Sequence, residues 1–143
     1  MSAGSGRALL VEADGGSRGN PGPAGYGALV RDAATGQVLA QEAEFIGHAS
    51  NNVAEYRGLL AGLLAARALD ANGSVEVRMD SKLVVEQMSG RWKIKHPAMR
   101  ELALQARDAA SGMNVTYTWV PRHLNSAADA LANQAMDAAA GHG

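Results

Sequence analysis

Two apolar runs in this chain each stop at an aspartate, and that repetition restricts the fold more than any other feature. "ALLVEAD" (8–14) reads as a buried strand ending in Asp14, and "SVEVRMD" (74–80) alternates like a strand and ends in Asp80. A carboxylate at the end of an apolar strand loses hydration unless something positive sits beside it. Between the two runs, "YGALVRDAATGQVLAQEAEFIG" (26–47) reads as two strands around a turn at Ala34, Thr35 and Gly36. "NNVAEYRGLLAGLLAARALD" (51–70) has Leu59, Leu60, Leu63 and Leu64 at helical spacing, with Asn51 or Asn52 as its cap. Gly58 and Gly62 each cost about 1 kcal/mol of helix propensity relative to alanine, and their spacing predicts close approach of this helix to a sheet.

Beyond Asp80, "SKLVVEQMSG" (81–90) reads as a short helix on a Ser81 cap. "PAMRELALQARDAAS" (97–111) reads as a helix with proline in its first turn. "MNVTYTWV" (113–120) is rich in β-branched and aromatic residues and reads as a strand, and "NSAADALANQAMDAAA" (125–140) as a last helix. The order β-β-β-α-β-α-α-β-α predicts an α/β fold, a mixed sheet with helices packed on its faces. Right-handed crossovers make the later strands parallel to the first. Asp14 and Asp80 then lie at the carboxyl ends of neighbouring strands, the edge where open α/β sheets hold ligands.

The chain has 143 residues, 47% of them hydrophobic, which suits one domain, read as 7–140 with flexible tails at 1–6 and 141–143. It has no cysteine, so neither a disulfide framework nor a thiolate metal site is available. No stretch reaches the roughly 18 apolar residues that span a bilayer, and the N-terminus lacks the apolar region of a signal peptide. A cytoplasmic monomer away from membranes is the expectation. The net charge of −1 argues mildly against a nucleic-acid partner, but "GRWKIKH" (90–96) and "PRH" (121–123) are locally basic.

Four acids stand out by context: Asp14 and Asp80 at strand ends, Glu55 early in the first helix, and Asp129 in the first turns of the last. Taken singly, each has an ordinary reading as a turn former or a helix-dipole partner. Taken together, several carboxylates at one sheet edge repel one another unless a cation neutralises them. Hard divalent ions, Mg²⁺ or Mn²⁺, prefer such oxygen ligands. Three or four carboxylates can hold a pair of Mg²⁺ about 4 Å apart, the arrangement that supports phosphodiester displacement. The glycine-rich "GGSRGN" offers backbone N–H groups without side-chain obstruction, and "SNN" (50–52) opens a helix with amide side chains. Ordinary turn and cap chemistry is the plainer account of both stretches.

In "DGGSRGNPGPAGYG", "SNNVAEYRGLLAGL", "MDSKLVVEQMSGRW" and "WVPRHLNSAADALAN", the chain resembles the type 1 ribonuclease H family, in family order over residues 9–138. The resemblance implies a five-stranded mixed sheet, its first three strands antiparallel, with helices on both sides. It implies endonucleolytic cleavage of the RNA strand of RNA–DNA hybrids, leaving 5′-phosphate and 3′-hydroxyl ends. By motif, Asp14, Glu55, Asp80 and Asp129 correspond to the catalytic, metal-binding acids, with two Mg²⁺ (Mn²⁺ as substitute) when substrate is bound. Gly15, Gly16 and Ser17 correspond to a loop that meets the RNA backbone. Asn20, Asn51, Asn52 and Lys82 correspond to minor-groove contacts, and Glu55 to the acceptor of a 2′-hydroxyl hydrogen bond. Arg122 is a candidate phosphate contact.

Two departures from the family stand out. The segment "PRHLNSAAD" is shorter than the His-bearing loop of many relatives and is similar to short-loop bacterial and archaeal members. His123 is thus a candidate auxiliary in product release or leaving-group protonation, an exposed loop histidine being the plainer reading. The basic protrusion of other relatives is missing, and Arg91, Trp92, Lys93 and Lys95 stand where a remnant of it would be. Some short-loop relatives also cut double-stranded RNA, which adds that substrate class, and some continue into a C-terminal phosphatase-like domain. The rival readings are a non-catalytic hybrid- or RNA-binding module and another nuclease of the same superfamily. Four acids disfavour the first, because a binder gains nothing from negative charge near phosphates.

Overall fold

The computed structural model describes residues 7–141. Strands β1 (Ala8–Ser17), β2 (Gly22–Asp32) and β3 (Val38–Ala49) form an antiparallel meander, followed by α1 (Asn51–Leu69) and β4 (Ser74–Met79). Helices α2 (Lys82–Met88) and α3 (Pro97–Ala110) lead to β5 (Asn114–Trp119). A single 3-10 turn (Arg122–Leu124) then precedes α4 (Ser126–Ala139). The five strands make one mixed sheet in the order β3-β2-β1-β4-β5, with β4 parallel to β1 and β5 parallel to β4. The expected α/β fold and element order are therefore present. Of the tails expected at 1–6 and 141–143, residues 1–6 and 142–143 lie outside the described residues, and Gly141 sits in the turn after α4. Among the described residues, no helix is long and apolar enough to cross a membrane.

Helix α1 packs against β1, β2 and α3, whereas α4 packs against β2, β3 and β1. Strand geometry explains how β2 serves both helices. Successive side chains point to opposite faces, so Tyr26, Ala28 and Val30 face α1 while Gly25, Gly27 and Leu29 face α4; all six are buried. The core under α1 joins Leu9, Val11, Tyr56, Leu59, Leu63, Val77 and Met79, each almost wholly excluded from solvent. Removing such side chains from water supplies ~1.5–3 kcal/mol apiece.

Several local expectations are corrected. β1 does not end at Asp14 but runs on to Ser17, because β2 keeps pairing with it through Gly15↔Tyr26, Gly16↔Gly25 and Ser17↔Ala24. What stops near Asp14 is the pairing with β4, whose last partners on that edge are Glu12 and Arg78. Ser50, not Asn51 or Asn52, caps α1, its Oγ accepting from the Val53 N–H at 3.2 Å. The leucine stripe of α1 splits: Leu59 and Leu63 are buried, whereas Leu64 is half exposed, beyond the reach of the sheet. Trp92, open to packing or to a surface role by sequence, is 45% exposed in the loop between α2 and α3. That loop is tied down by buried Gln87, which accepts from the Tyr56 hydroxyl at 2.7 Å and donates to the Lys93 carbonyl at 3.1 Å.

Candidate active site

Two glycine seats set the geometry of the acids. Gly58 presses α1 onto β1: a Cβ there would lie 2.8 Å from the Asp14 carbonyl oxygen. Gly15 makes the reciprocal approach, since its Cβ would lie 2.5 Å from the Glu55 nitrogen. The start of α1, with Glu55, is thus pinned beside Asp14. On the other face, Gly27 is the pairing partner of Asp14, and a Cβ there would lie 2.5 Å from the Ala128 carbonyl and 2.7 Å from the Ala132 nitrogen. That contact seats the turn of α4 carrying Asp129 above Asp14. Asp80 follows β4, one strand over, and so reaches the same edge.

The four carboxylates line one cleft of about 700 Å³, together with Gly15, Gly16, Ser17, Arg18, Asn51, Asn52, Ser81, Lys82, Arg122 and Asn133. All four are half-buried. Burial pushes the Asp14 carboxyl up to about 8, reinforced by repulsion from Asp80 and by the adjacent Asp129; the Gly15 N–H pulls the other way. Glu55 is pushed up to about 7, again first by burial; the Ser81 hydroxyl and Arg122 oppose that rise, and Asp80 adds to it. At neutral pH the Asp14 carboxyl therefore keeps its proton. Among the described residues, no three His, Cys, Asp or Glu side chains close tightly enough to cage a metal ion by themselves. The donor set is all oxygen. Mg²⁺ keeps several waters and commonly takes one or two carboxylates plus substrate phosphate, so an open, acid-lined cleft fits it without a closed cage.

The remaining sequence candidates divide. Asn51 lines the cleft, and its Oδ1 accepts from the Ser17 N–H at 2.7 Å. Asn20 does not line the cleft; its Oδ1 accepts from the Asn51 N–H at 3.1 Å and so braces the start of α1. Lys82 is exposed, its Nζ 5.6 Å from the centre of the Trp119 ring. Arg122 Nε lies 3.7 Å from Asp80 Oδ2 with most of its side chain in solvent, a pairing worth little to stability. His123 is exposed on the 3-10 turn and is not among the residues that line the cleft.

Sequence reasoning missed two residues here. Asn125, read from the sequence as the first residue of the last helix, stands at the N-cap position of α4, yet its side chain makes no capping bond. It is 1% exposed, and its Nδ2 donates at 2.9 Å to both the Ala13 carbonyl and Asp80 Oδ1. It joins β1, Asp80 and α4, and its Oδ1 finds no hydrogen-bond partner among the described residues. An asparagine four residues before an acid of interest was the available signal. The indole N–H of Trp119, which donates to the Asp80 carbonyl at 3.2 Å, is the second.

Comparison with known proteins agrees with this arrangement. A family model described as reverse transcriptase-like matches residues 12–135. A bifunctional protein of Mycobacterium tuberculosis, Rv2228c, is 61% identical over 133 residues; the match covers 92% of this chain and 36% of that protein's length. The solved N-terminal RNase H domain of Rv2228c superposes with a TM-score of 0.91 at 59% identity, covering 95% of this chain and 98% of that one. Ribonuclease HI of Halobacterium salinarum is 43% identical over 125 residues, 87% of this chain and 62% of its own. LC11-RNase H1, solved in complex with an RNA/DNA hybrid, superposes with a TM-score of 0.86 at 37% identity, covering 92% of this chain and 98% of that one. With four acids from four separate elements meeting at one sheet edge, and with these relatives matched across that whole span, the chain belongs to the type 1 ribonuclease H family.

Proposed function

We propose that this chain is a divalent-metal-dependent endoribonuclease that cuts the RNA strand of RNA–DNA hybrids and leaves 5′-phosphate and 3′-hydroxyl ends. The observation that carries this reading is the convergence of Asp14, Glu55, Asp80 and Asp129 on one cleft, where burial raises the Asp14 carboxyl to about 8 and that of Glu55 to about 7. Those four residues would hold two Mg²⁺ or Mn²⁺ ions once a substrate phosphate completes the ligand set. Bound there, the ions supply activation of the attacking water and stabilisation of the leaving 3′ oxygen.

The protein's own groups do the rest. Asn125 and Trp119 fix Asp80 from its side chain and its carbonyl, so that only Oδ2 is left to turn toward the cleft and Arg122. The backbone of Gly15 and Gly16 bears no side chain to keep a strand away. Asn51 and Asn52, at the start of α1, offer amide groups to the edge of a shallow minor groove, and Glu55 accepts a hydrogen bond from a 2′-hydroxyl. That last contact separates RNA from DNA in the cut strand. A non-catalytic binder is disfavoured, because the acids would repel phosphate without compensation.

The test is a labelled hybrid offered beside duplex DNA and duplex RNA, each with Mg²⁺, Mn²⁺, Ca²⁺ or EDTA. Cleavage of the hybrid is expected with Mg²⁺ or Mn²⁺ and not with Ca²⁺, whose looser coordination suits the transition state poorly. Asp14→Asn should abolish turnover. Wild-type turnover by that variant would refute the site assignment, and equal cutting of duplex DNA would refute the hybrid specificity. Cutting of duplex RNA would extend the substrate range to that class.

A further inference from the structure

Arg18 leaves β1 just past the cleft and reaches back over its rim. Its backbone is fixed, the N–H donating to the Pro23 carbonyl at 2.8 Å. Arg18 lines the cleft, and its guanidinium crosses to α4, where Nη2 lies 2.7 Å from Asp137 Oδ1 and 3.5 Å from Asn133 Oδ1. Asp129, Asn133 and Asp137 are four residues apart along α4, so they form one stripe facing the end of β1. Asn133 is held in that stripe by its Nδ2, which donates to the Asp129 carbonyl at 3.1 Å.

The pair is poorly protected. The Arg18 side chain is 43% exposed and that of Asp137 is 60% exposed, so water and salt screen their attraction. An arginine fork binds a phosphate through parallel charge-assisted hydrogen bonds, a stronger and more directional contact than a solvated ion pair. The sheet order adds position. Arg18 follows β1, whose outer neighbour is β2, and Lys82 opens α2 after β4; both line the cleft with Asp14, on β1, and Asp80, just past β4. A polyanionic backbone drawn across the acids therefore meets both cations. Arg122, the third cation of the cleft, already leans on Asp80.

We infer that Arg18 is a further phosphate-binding residue of this cleft and that Asp137 occupies its guanidinium until a nucleic-acid backbone displaces it. The inference rests on the proposed nuclease reading and deepens it. Asp137 acts as an internal competitor: it holds the side chain in place and weakens binding by the cost of releasing it. This predicts opposite effects from removing the two partners, which a mere brace between β1 and α4 would not produce.

The experiment is steady-state cleavage of the hybrid by wild type, Arg18→Ala, Arg18→Lys, Asp137→Asn and the Arg18→Ala/Asp137→Asn double variant, with thermal melts of each. Arg18→Ala is expected to raise KM about 3–10-fold with kcat within about twofold, and to lessen the slope of log affinity against log salt by about one. Arg18→Lys should fall between, because it keeps the charge and loses the fork. Asp137→Asn should lower KM about 2–5-fold at low salt, and that gain should vanish without Arg18. The inference is overturned if Asp137→Asn leaves KM unchanged, or if both single variants raise KM as their melting temperatures fall together. If wild type itself fails to cut the hybrid, the nuclease reading falls and takes this inference with it. If wild type cuts and Asp137→Asn shows no gain, the inference alone falls.

Discussion

Replacing Asp14 by asparagine should stabilise the metal-free protein while destroying its activity, and the gain should depend on pH in a defined direction. In the unfolded chain this carboxyl titrates near an ordinary 3.8, whereas in the folded cleft it titrates near 8. Below about pH 4 both states carry the proton and the site costs nothing. As pH rises toward 8, the unfolded chain releases the proton and the folded chain keeps it, so stability falls across that window and levels off above it. The interval from 3.8 to about 8, at about 1.4 kcal/mol per pH unit, sets a ceiling near 6 kcal/mol. Asp14 keeps contact with the open cleft, where water screens its interactions, so one substitution recovers only part of that ceiling, about 1–3 kcal/mol. For a domain of this size that is a rise in melting temperature of roughly 3–10 °C. The assay is a set of melts in EDTA from about pH 4.5 to pH 8.5, wild type beside Asp14→Asn. The variant's advantage should be near zero at the acid end and largest near pH 8. Adding Mg²⁺ should raise the wild-type melting temperature by mass action and leave the variant nearly unmoved. An advantage independent of pH, or a variant less stable than wild type near pH 8, would refute the reasoning.

Other consequences follow from the same geometry. Gly27→Ala places a methyl group 2.5 Å from the Ala128 carbonyl; it should cost about 1–3 kcal/mol in denaturant unfolding and, by lifting Asp129, raise the Mg²⁺ concentration needed for half-maximal cleavage. Asn125→Ala should cost about 1–3 kcal/mol by stranding the Ala13 carbonyl and should lower kcat more than KM, because Asp80 loses its clamp; an unchanged kcat would show that Asn125 only supports the fold. His123→Ala should slow hybrid cleavage by less than about tenfold, or about 1.4 kcal/mol, since the ring stands outside the cleft; a larger loss would restore His123 to a catalytic role.

Much of the site was legible before any coordinates. A strand needs only local alternation, and a helix only its period and cap, so the nine main elements emerged in the right order from residues a few positions apart. The four acids were legible for a related reason: carboxylates are costly in apolar contexts, and "ALLVEAD" and "AADALA" place them there. Gly58 and Gly62 were legible too, because glycine weakens a helix and its presence implies contact; a Cβ would lie 2.8 Å from the Asp14 carbonyl oxygen at Gly58 and 2.6 Å from Val11 Cγ1 at Gly62.

What the sequence determined by itself, then, was local conformation and the presence of unpaired charge. The tertiary structure alone decided where β1 ends, which side chain caps α1 and which amide clamps Asp80, and which cation faces which acid. β1 continues past Asp14 because β2, brought back by a turn, supplies partners for Gly15–Ser17. Asn125 abandons the helix it precedes because Ala13 and Asp80, remote in the chain, offer its amide two acceptors in a dry place. Arg18 meets Asp137 only because α4 crosses the meander. Hydrogen bonds and ion pairs act over a few ångströms of space, not along the chain, and folding chooses which distant groups come within that range.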